Sequence, residues 1–132
     1  MSQAPRLDTF FQALAEPTRL RLVNLIAGSE VCVCFLVEVL GEPQPKISRH
    51  LAALRKAGLV AARRDGKWIH YRLTVPHGLT DLAANVLAMM KRDPEMQRDR
   101  AALASACCST RVPELLKRAP KPAGLGTPAG GR

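Results

Sequence analysis

Residues 44–56 read Gln-Pro-Lys-Ile-Ser-Arg-His-Leu-Ala-Ala-Leu-Arg-Lys. Ile47, Leu51 and Leu54 fall at positions i, i+4 and i+7, which is the spacing of one face of an amphipathic helix. Gly58 stands just past the stretch, where glycine commonly ends a helix. The pattern therefore predicts a helix that buries one side and offers a polar, mostly basic side to a partner. That second side carries Lys46, Arg49, Ala53 and Lys56.

Further helices and one hairpin are predicted on both sides of this helix. Apolar residues at helical spacing over 7–14 and 20–26 indicate two helices upstream, the second beginning at Pro17. Asp65-Gly66, between two strand-like runs, is a strong hairpin signal, with residues 63–67 separating the strands. The predicted order is completed by a short helix ending near Leu40, a helix with a long apolar stripe over 79–90, and a last helix opened by Asp93-Pro94.

The basic residues are concentrated in one part of the chain. The 132 residues carry a formal net charge of +9, and residues 44–72 hold eight basic side chains against one acidic. A solvated surface of mixed sign would not collect its charge in this way, so we expect a polyanionic partner. No basic amphipathic helix with a large apolar face accompanies the charge, which argues against a membrane surface.

Length and composition bound the architecture and the location. The chain is long enough for one domain, and its five aromatic residues leave the core to Leu, Val, Ile and Ala, which suits helices. No apolar run could span a bilayer and no signal-peptide core is visible, so we expect a cytoplasmic protein with no membrane partner. We expect one domain over residues 1–108 and a disordered, basic, Pro/Gly-rich tail over residues 109–132.

The order of the predicted elements points to DNA. A short helix, a tight turn and a basic-faced helix form a helix-turn-helix, whose second helix enters the major groove. An Arg-rich hairpin directly after it corresponds to a wing that meets phosphates beside the groove. The predicted fold class is therefore mainly α with a β-hairpin wing, a winged helix-turn-helix.

Three motifs in this order resemble the ArsR/SmtB family of metal-sensing repressors. Residues 15–22 (AEPTRLRL) are similar to its second-helix signature, residues 45–51 (PKISRHL) to its recognition helix, and residues 64–73 (RDGKWIHYRL) to its wing. The similarity covers about residues 7 to 90. It implies double-stranded operator DNA as a partner and a homodimer formed through the family's first and last helices, a role that the apolar stripes over 7–14 and 79–90 fit, so residues 1–108 would serve both DNA binding and dimerisation.

The resemblance also implies the residues that contact DNA. Gln44, Lys46, Ser48 and Arg49 match recognition-helix positions that the family uses on DNA. His50, beside them, either contacts a phosphate or anchors the helix, and the sequence leaves both roles open. On the wing, the expected phosphate contacts are Arg63, Arg64 and Lys67.

Two cysteine pairs are candidates for binding a soft ion. Cys32-Val33-Cys34 enters the short third helix, and Cys107-Cys108 ends the last one. Thiolates prefer thiophilic ions, and a helix N-terminus is expected to lower a thiol's pKa. Residues i and i+2 of a helix point ~200° apart, so Cys32 must precede the first turn, or ligand binding must unwind that turn.

The first pair is similar to the Cys-Val-Cys motif of arsenical-resistance repressors, with two departures. Phe35 stands where an acidic residue usually follows, and Val37 stands where a third cysteine is often found. A trigonal site would then lack a local third ligand. Cys107 and Cys108 could supply it or form a separate site, and the sequence leaves the choice open.

The sequence therefore predicts a DNA-binding repressor that is released when its cysteine thiolates bind trivalent arsenic or antimony. The inducer would be arsenite or antimonite, and no constitutive cofactor is expected. A redox-sensing repressor that oxidises the same thiols is the alternative. A thiol enzyme is not expected, because no set of nucleophile, base and orienting group accompanies the cysteines; the histidines are His50, His70 and His77.

Overall fold

The computed structural model describes residues 6–108 and residue 120. The predicted tail over 109–132 lies, apart from residue 120, outside the described residues, as does the side chain of Cys108. In the described part, no helix is long and apolar enough to cross a bilayer. The elements in chain order are α1 (Leu7–Leu14), α2 (Pro17–Ile26), β1 (Val31–Cys32), α3 (Val33–Leu40), α4 (Gln44–Lys56), β2 (Val60–Asp65), β3 (Trp68–Leu73), α5 (Thr80–Arg92) and α6 (Pro94–Cys108).

Local capping groups explain where several helices begin and end. The Glu16 carboxylate accepts hydrogen bonds from the backbone N–H groups of Thr18 and Arg19, at 2.8 and 3.2 Å, and so caps α2. Asp93 caps α6 by accepting from the backbone N–H of Met96 at 3.1 Å. Gly41 ends α3 with φ of 68°, a left-handed conformation that glycine adopts without strain. The predicted helices are therefore confirmed, with ends close to those expected.

The three strands form an antiparallel sheet in the order β1-β3-β2. Two features differ from the prediction. β2 continues through Asp65, so the hairpin turn is only Gly66 and Lys67 rather than residues 63–67. The exposed residues at the end of β2 are held in the strand by backbone pairing to β3 and not by burial. They therefore show none of the alternation of apolar and polar residues by which a strand is predicted from sequence. β1 was not predicted; it pairs Val31 with Tyr71 and Cys32 with His70.

The core is built mainly by α2, α3 and α4. Phe35, Leu36 and Leu22 are fully buried, and α4 adds its apolar stripe of Ile47, Leu51 and Leu54, also fully buried. This packing fixes α4 against α2, so the opposite face of α4 is held outward.

α6 is docked on α2 through a seam of polar contacts. Arg21 donates two hydrogen bonds to Asp99, at 2.7 and 2.9 Å, and both side chains are largely buried. Asn24 donates to the carbonyl oxygen of Met96 at 3.0 Å and also contacts Arg100. α6 therefore lies over α2 in a fixed register.

Candidate DNA-binding surface and thiol site

The outward face of α4 carries most of the residues predicted to reach DNA. Gln44 and Arg49 are exposed, and Ser48 is half-buried. Lys46 is partly engaged, because its Nζ lies 3.1 Å from Oε1 of Glu42, one helical turn before it. Arg49 is thus the cation that α4 presents most openly among its predicted contacts.

His50 is turned toward α2. Its Nδ1 accepts a hydrogen bond from Nε of Arg19 at 3.2 Å and lies 3.8 Å from Oε1 of Glu16. The contact ties α4 to the capped start of α2, which is the anchoring role that the sequence left open.

The wing presents two of its three predicted cations. Arg64 and Lys67 are exposed, and Nζ of Lys67 stands 5.1 Å from the centroid of the Trp68 ring. Arg63 instead forms an ion pair with Glu30, with Nη2 2.7 Å from Oε1. The Arg63 guanidinium holds the pKa of Glu30 below its ordinary value, mainly because it donates hydrogen bonds to that carboxylate.

A cleft between α4 and β3 adds residues that the sequence analysis did not assign to DNA. Its volume is about 430 Å³, and it opens beside Ser48. Arg55 and Lys56 are exposed at its edge, and Tyr71 lines it from β3. The basic face of α4 was visible in the sequence, but Tyr71 lines the cleft only because the hairpin packs on α4 through β2, with β3 paired beside it.

Cys32 and Cys34 are brought together where β1 meets α3. Cys32 is the N-cap residue of α3 and is extended, with φ of −68° and ψ of 141°, while Cys34 lies in the first turn. The Cys32 side chain lies close enough to Cys34 to raise its pKa. Cys32 precedes the helix, which is the first of the two geometries that the sequence left open, and its side chain lies near that of Cys34.

The thiol of Cys34 is harder to ionise than expected. Burial, followed by the neighbouring Cys32, raises the pKa of Cys34 to about 11. At this residue burial outweighs the lowering of the pKa that was expected from the helix N-terminus. Desolvation disfavours the thiolate, and a second thiol at contact distance would add a like charge.

Cys107 lies on another element. It is buried in α6, on the same face as Met96 and Leu103, and α6 packs against α2 and α3. Among the side chains that the structure describes, which do not include that of Cys108, no three of Cys, His, Asp or Glu are arranged to hold a metal ion. The described part of the chain thus offers a two-thiol site at Cys32 and Cys34.

A helix-turn-helix formed by α3 and α4, followed by the β2–β3 wing, defines a winged-helix DNA-binding regulator. The profile of a family described as "Bacterial regulatory protein, arsR family" matches residues 16–62. The arsenic resistance transcriptional regulator ArsR2 of Pseudomonas putida is 39% identical over 113 residues, covering 74% of this chain and 94% of that protein. The chain belongs to the arsR family of bacterial regulatory proteins.

Other relatives extend the comparison. The arsenical resistance operon repressor of Escherichia coli K12 is 54% identical over 68 residues, 51% of this chain and 57% of that protein. The chain spans about half the length of the first curated relatives it matches. A solved structure titled as a possible transcriptional regulator for arsenical resistance is 38% identical, with a TM-score of 0.52, and covers 73% of this chain and 96% of that one. The repressor BigR from Xylella fastidiosa is 34% identical, with a TM-score of 0.56, over 64% of this chain and 83% of that one.

Proposed function

We propose that this chain is a homodimeric transcriptional repressor whose Cys32 and Cys34 bind trivalent arsenic or antimony and thereby release it from operator DNA. The observation that carries the proposal is the convergence of two thiols at the junction of β1 and α3. The arsenical-resistance repressors among its relatives support the choice of inducer.

Protonated thiols suit this ligand. Arsenite in water is As(OH)₃, and its reaction with two thiols forms two As–S bonds, breaks two As–OH bonds and releases two waters. Each thiol proton leaves with a hydroxide of the arsenic, so no thiolate has to persist in the buried site and no electron is transferred. A pKa of about 11 at Cys34 would hinder a divalent cation, which binds thiolates and brings no hydroxide to remove their protons.

The site adjoins both elements that would touch DNA. Cys32 is paired through β1 to β3, a strand of the wing, and Cys34 belongs to α3, which packs against α4. A ligand that pulls the two sulfurs together changes the junction between these elements. A coupling of about 1–3 kcal/mol between ligand and DNA is typical of such systems.

Exposed apolar side chains support a dimer. Among the described residues, the large apolar side chains left exposed are Leu7 and Phe11 of α1 and Met89 of α5, at 53%, 52% and 64%. Leu82, Val86 and Leu87 of α5 are only half-buried. A second copy covering α1 and α5 would remove this surface from water and set two reading helices side by side.

The redox alternative fits the thiols less well. Peroxide reacts with thiolates, and the raised pKa of Cys34 leaves few of them near neutral pH. Peroxide at concentrations matched to arsenite should therefore leave the DNA complex intact. If peroxide releases the protein from DNA and arsenite does not, the redox function is favoured.

The decisive experiment compares two double variants on labelled duplex from the promoter of the chain's own gene. Arsenite is titrated against the complexes of Cys32→Ser/Cys34→Ser and Cys107→Ser/Cys108→Ser, with fluorescence anisotropy as the readout. We expect the first variant to stay on DNA and the second to be released like the parent. The reverse result would place the sensor at Cys107 and Cys108 of α6. If arsenite releases both double variants as it releases the parent, metalloid sensing by these thiols is refuted.

A further inference from the structure

His70 is a buried polar side chain that the DNA-binding role does not use. The residue is 4% exposed, although it lies on β3 of the wing. Its Nε2 is buried and has no hydrogen-bond partner among the residues that the structure describes. The nearest carboxylate oxygen, Oδ2 of Asp65, is 4.0 Å away, beyond hydrogen-bond distance. A buried ring nitrogen without a partner destabilises a fold, so it calls for an explanation.

The register of the sheet brings His70 to the thiol site. His70 is the direct partner of Cys32 across the β1–β3 pair. Directly opposed residues of antiparallel strands lie on the same face, with Cβ atoms about 4.5–5.5 Å apart. Cys32 in turn lies close enough to Cys34 to raise its pKa. The face of the sheet that carries the Cys32 thiol therefore also carries an imidazole nitrogen without a partner among the described residues, and Cys34 adjoins Cys32 from the first turn of α3.

We propose that His70 is a third residue of the thiol site, whose Nε2 hydrogen-bonds the hydroxide that arsenic keeps after Cys32 and Cys34 have bound it. This inference rests on the proposed function, because it needs arsenic at these two sulfurs. His70 is a partner of the third ligand and not itself a ligand, in line with the lack of a three-residue metal group among the described side chains.

The chemistry of the ligand makes such a partner useful. As(OH)₃ loses two of its three hydroxides when it forms two As–S bonds, and the remaining As–OH is both a donor and an acceptor. In a buried site that group needs a hydrogen-bonding partner, as any buried hydroxyl does. His70 supplies one where the chain lacks a third cysteine, since Val37 occupies that position.

The test pairs two probes that differ in this hydroxide. Arsenite bound to two thiols keeps one As–OH, whereas phenylarsine oxide bound to two thiols carries a phenyl group in its place. Affinities are measured on the full chain, from the absorbance of the arsenic–sulfur bonds, for the parent and for His70→Leu, His70→Phe and His70→Gln. Gln keeps a hydrogen-bonding group near the position of Nε2, and Leu and Phe do not.

We expect the apolar variants to bind arsenite about five- to tenfold more weakly, the magnitude of one net hydrogen bond, and to bind phenylarsine oxide within about twofold of the parent. His70→Gln should restore arsenite binding. Because removing a nitrogen without a partner relieves a cost, His70→Leu without ligand should unfold at the parent's temperature or above it. If one apolar variant does not fold, the other carries the test.

Two results would overturn the inference. Equal losses for both probes would make His70 a structural residue only, and an unchanged arsenite affinity would remove it from the site. The proposed function fails by a different result, namely a Cys32→Ser/Cys34→Ser variant that binds arsenite as the parent does. The two failures are therefore distinguishable in one set of titrations.

Discussion

Arg63 of β2 reaches past the central strand to Glu30, the residue that precedes β1, and donates to its carboxylate at 2.7 Å. The pair joins the two outer strands of the sheet on the face that carries His70. The pair also engages Arg63 within the protein, although the sequence predicted that Arg63 contacts a DNA phosphate. A phosphate contact by Arg63 has to compete with Glu30.

Replacing Glu30 tests this competition. Glu30→Gln should free Arg63, strengthen DNA binding and steepen the dependence of log K on log salt by about one, the value of one added phosphate contact. The control is Glu38→Gln, an exposed residue of α3 with the same change in charge. Equal effects of the two variants would mean that only net charge matters and that Arg63 gains no contact.

Arg64 is the wing cation expected to act on DNA as the structure stands. Arg64→Ala should weaken binding to operator and to unrelated duplex by the same factor and flatten the salt dependence by about one. Arg92→Ala, at the exposed end of α5, is the matched control and should change neither. A salt dependence that is the same for Arg64→Ala and the parent would exclude the wing tip from the interface.

The seam between α2 and α6 predicts a stability effect. Arg21→Ala leaves the buried carboxylate of Asp99 unpaired and should lower the free energy of unfolding by roughly 1–3 kcal/mol in denaturant titrations. The double variant Arg21→Ala/Asp99→Ala should recover part of the loss, because no charge is then left buried. Arg98→Ala, exposed on α6, should stay within about 0.5 kcal/mol of the parent.

The raised pKa of Cys34 predicts slow alkylation. With a pKa of about 11, its reaction with iodoacetamide should increase with pH well beyond the range in which an ordinary thiol, of pKa about 8.5, has levelled off. Cys32→Ser removes a neighbour that raises this pKa, so alkylation at pH 8 should become faster. Peptide mapping by mass spectrometry gives the rate at Cys34 alone. A midpoint near 8.5 in the parent would contradict the buried, paired geometry.

The exposed apolar side chains of α1 and α5 predict the dimer surface. Phe11→Asp and Met89→Asp should each convert the dimer to monomer in sedimentation equilibrium, because a carboxylate would be buried without a partner. Ala101→Asp, on the exposed face of α6, is the control and should remain dimeric. Dimers in all three variants would place the interface elsewhere.

The helices were predictable because their signals are local. Pro17, Gly41 and Asp93 act on residues within one turn of themselves, so a sequence window contains the whole interaction. The ion pair of Lys46 with Glu42 was equally predictable from sequence, because the two residues are four positions apart along the chain.

Longer-range contacts were not predictable in this way. β1 has two residues and no alternation to reveal it, and its partner strand lies far along the chain, where Cys32 meets His70. The engagement of Arg63 by Glu30 depends on that sheet. The rise in the pKa of Cys34 depends on burial by distant elements, which outweighs the local effect of the helix N-terminus.

The brevity of β1 has a mechanical consequence. Both of its side chains, those of Val31 and Cys32, are fully buried, so tight packing anchors a strand that has few backbone contacts of its own. One of these two anchors is a thiol. An atom added to its sulfur overfills the space around it, and overpacking of a well-filled interior typically costs about 1–3 kcal/mol. If Cys32 binds the proposed ligand, the size of the bound atom would be converted into displacement of this strand, while the core of α2, α3 and α4 keeps its shape.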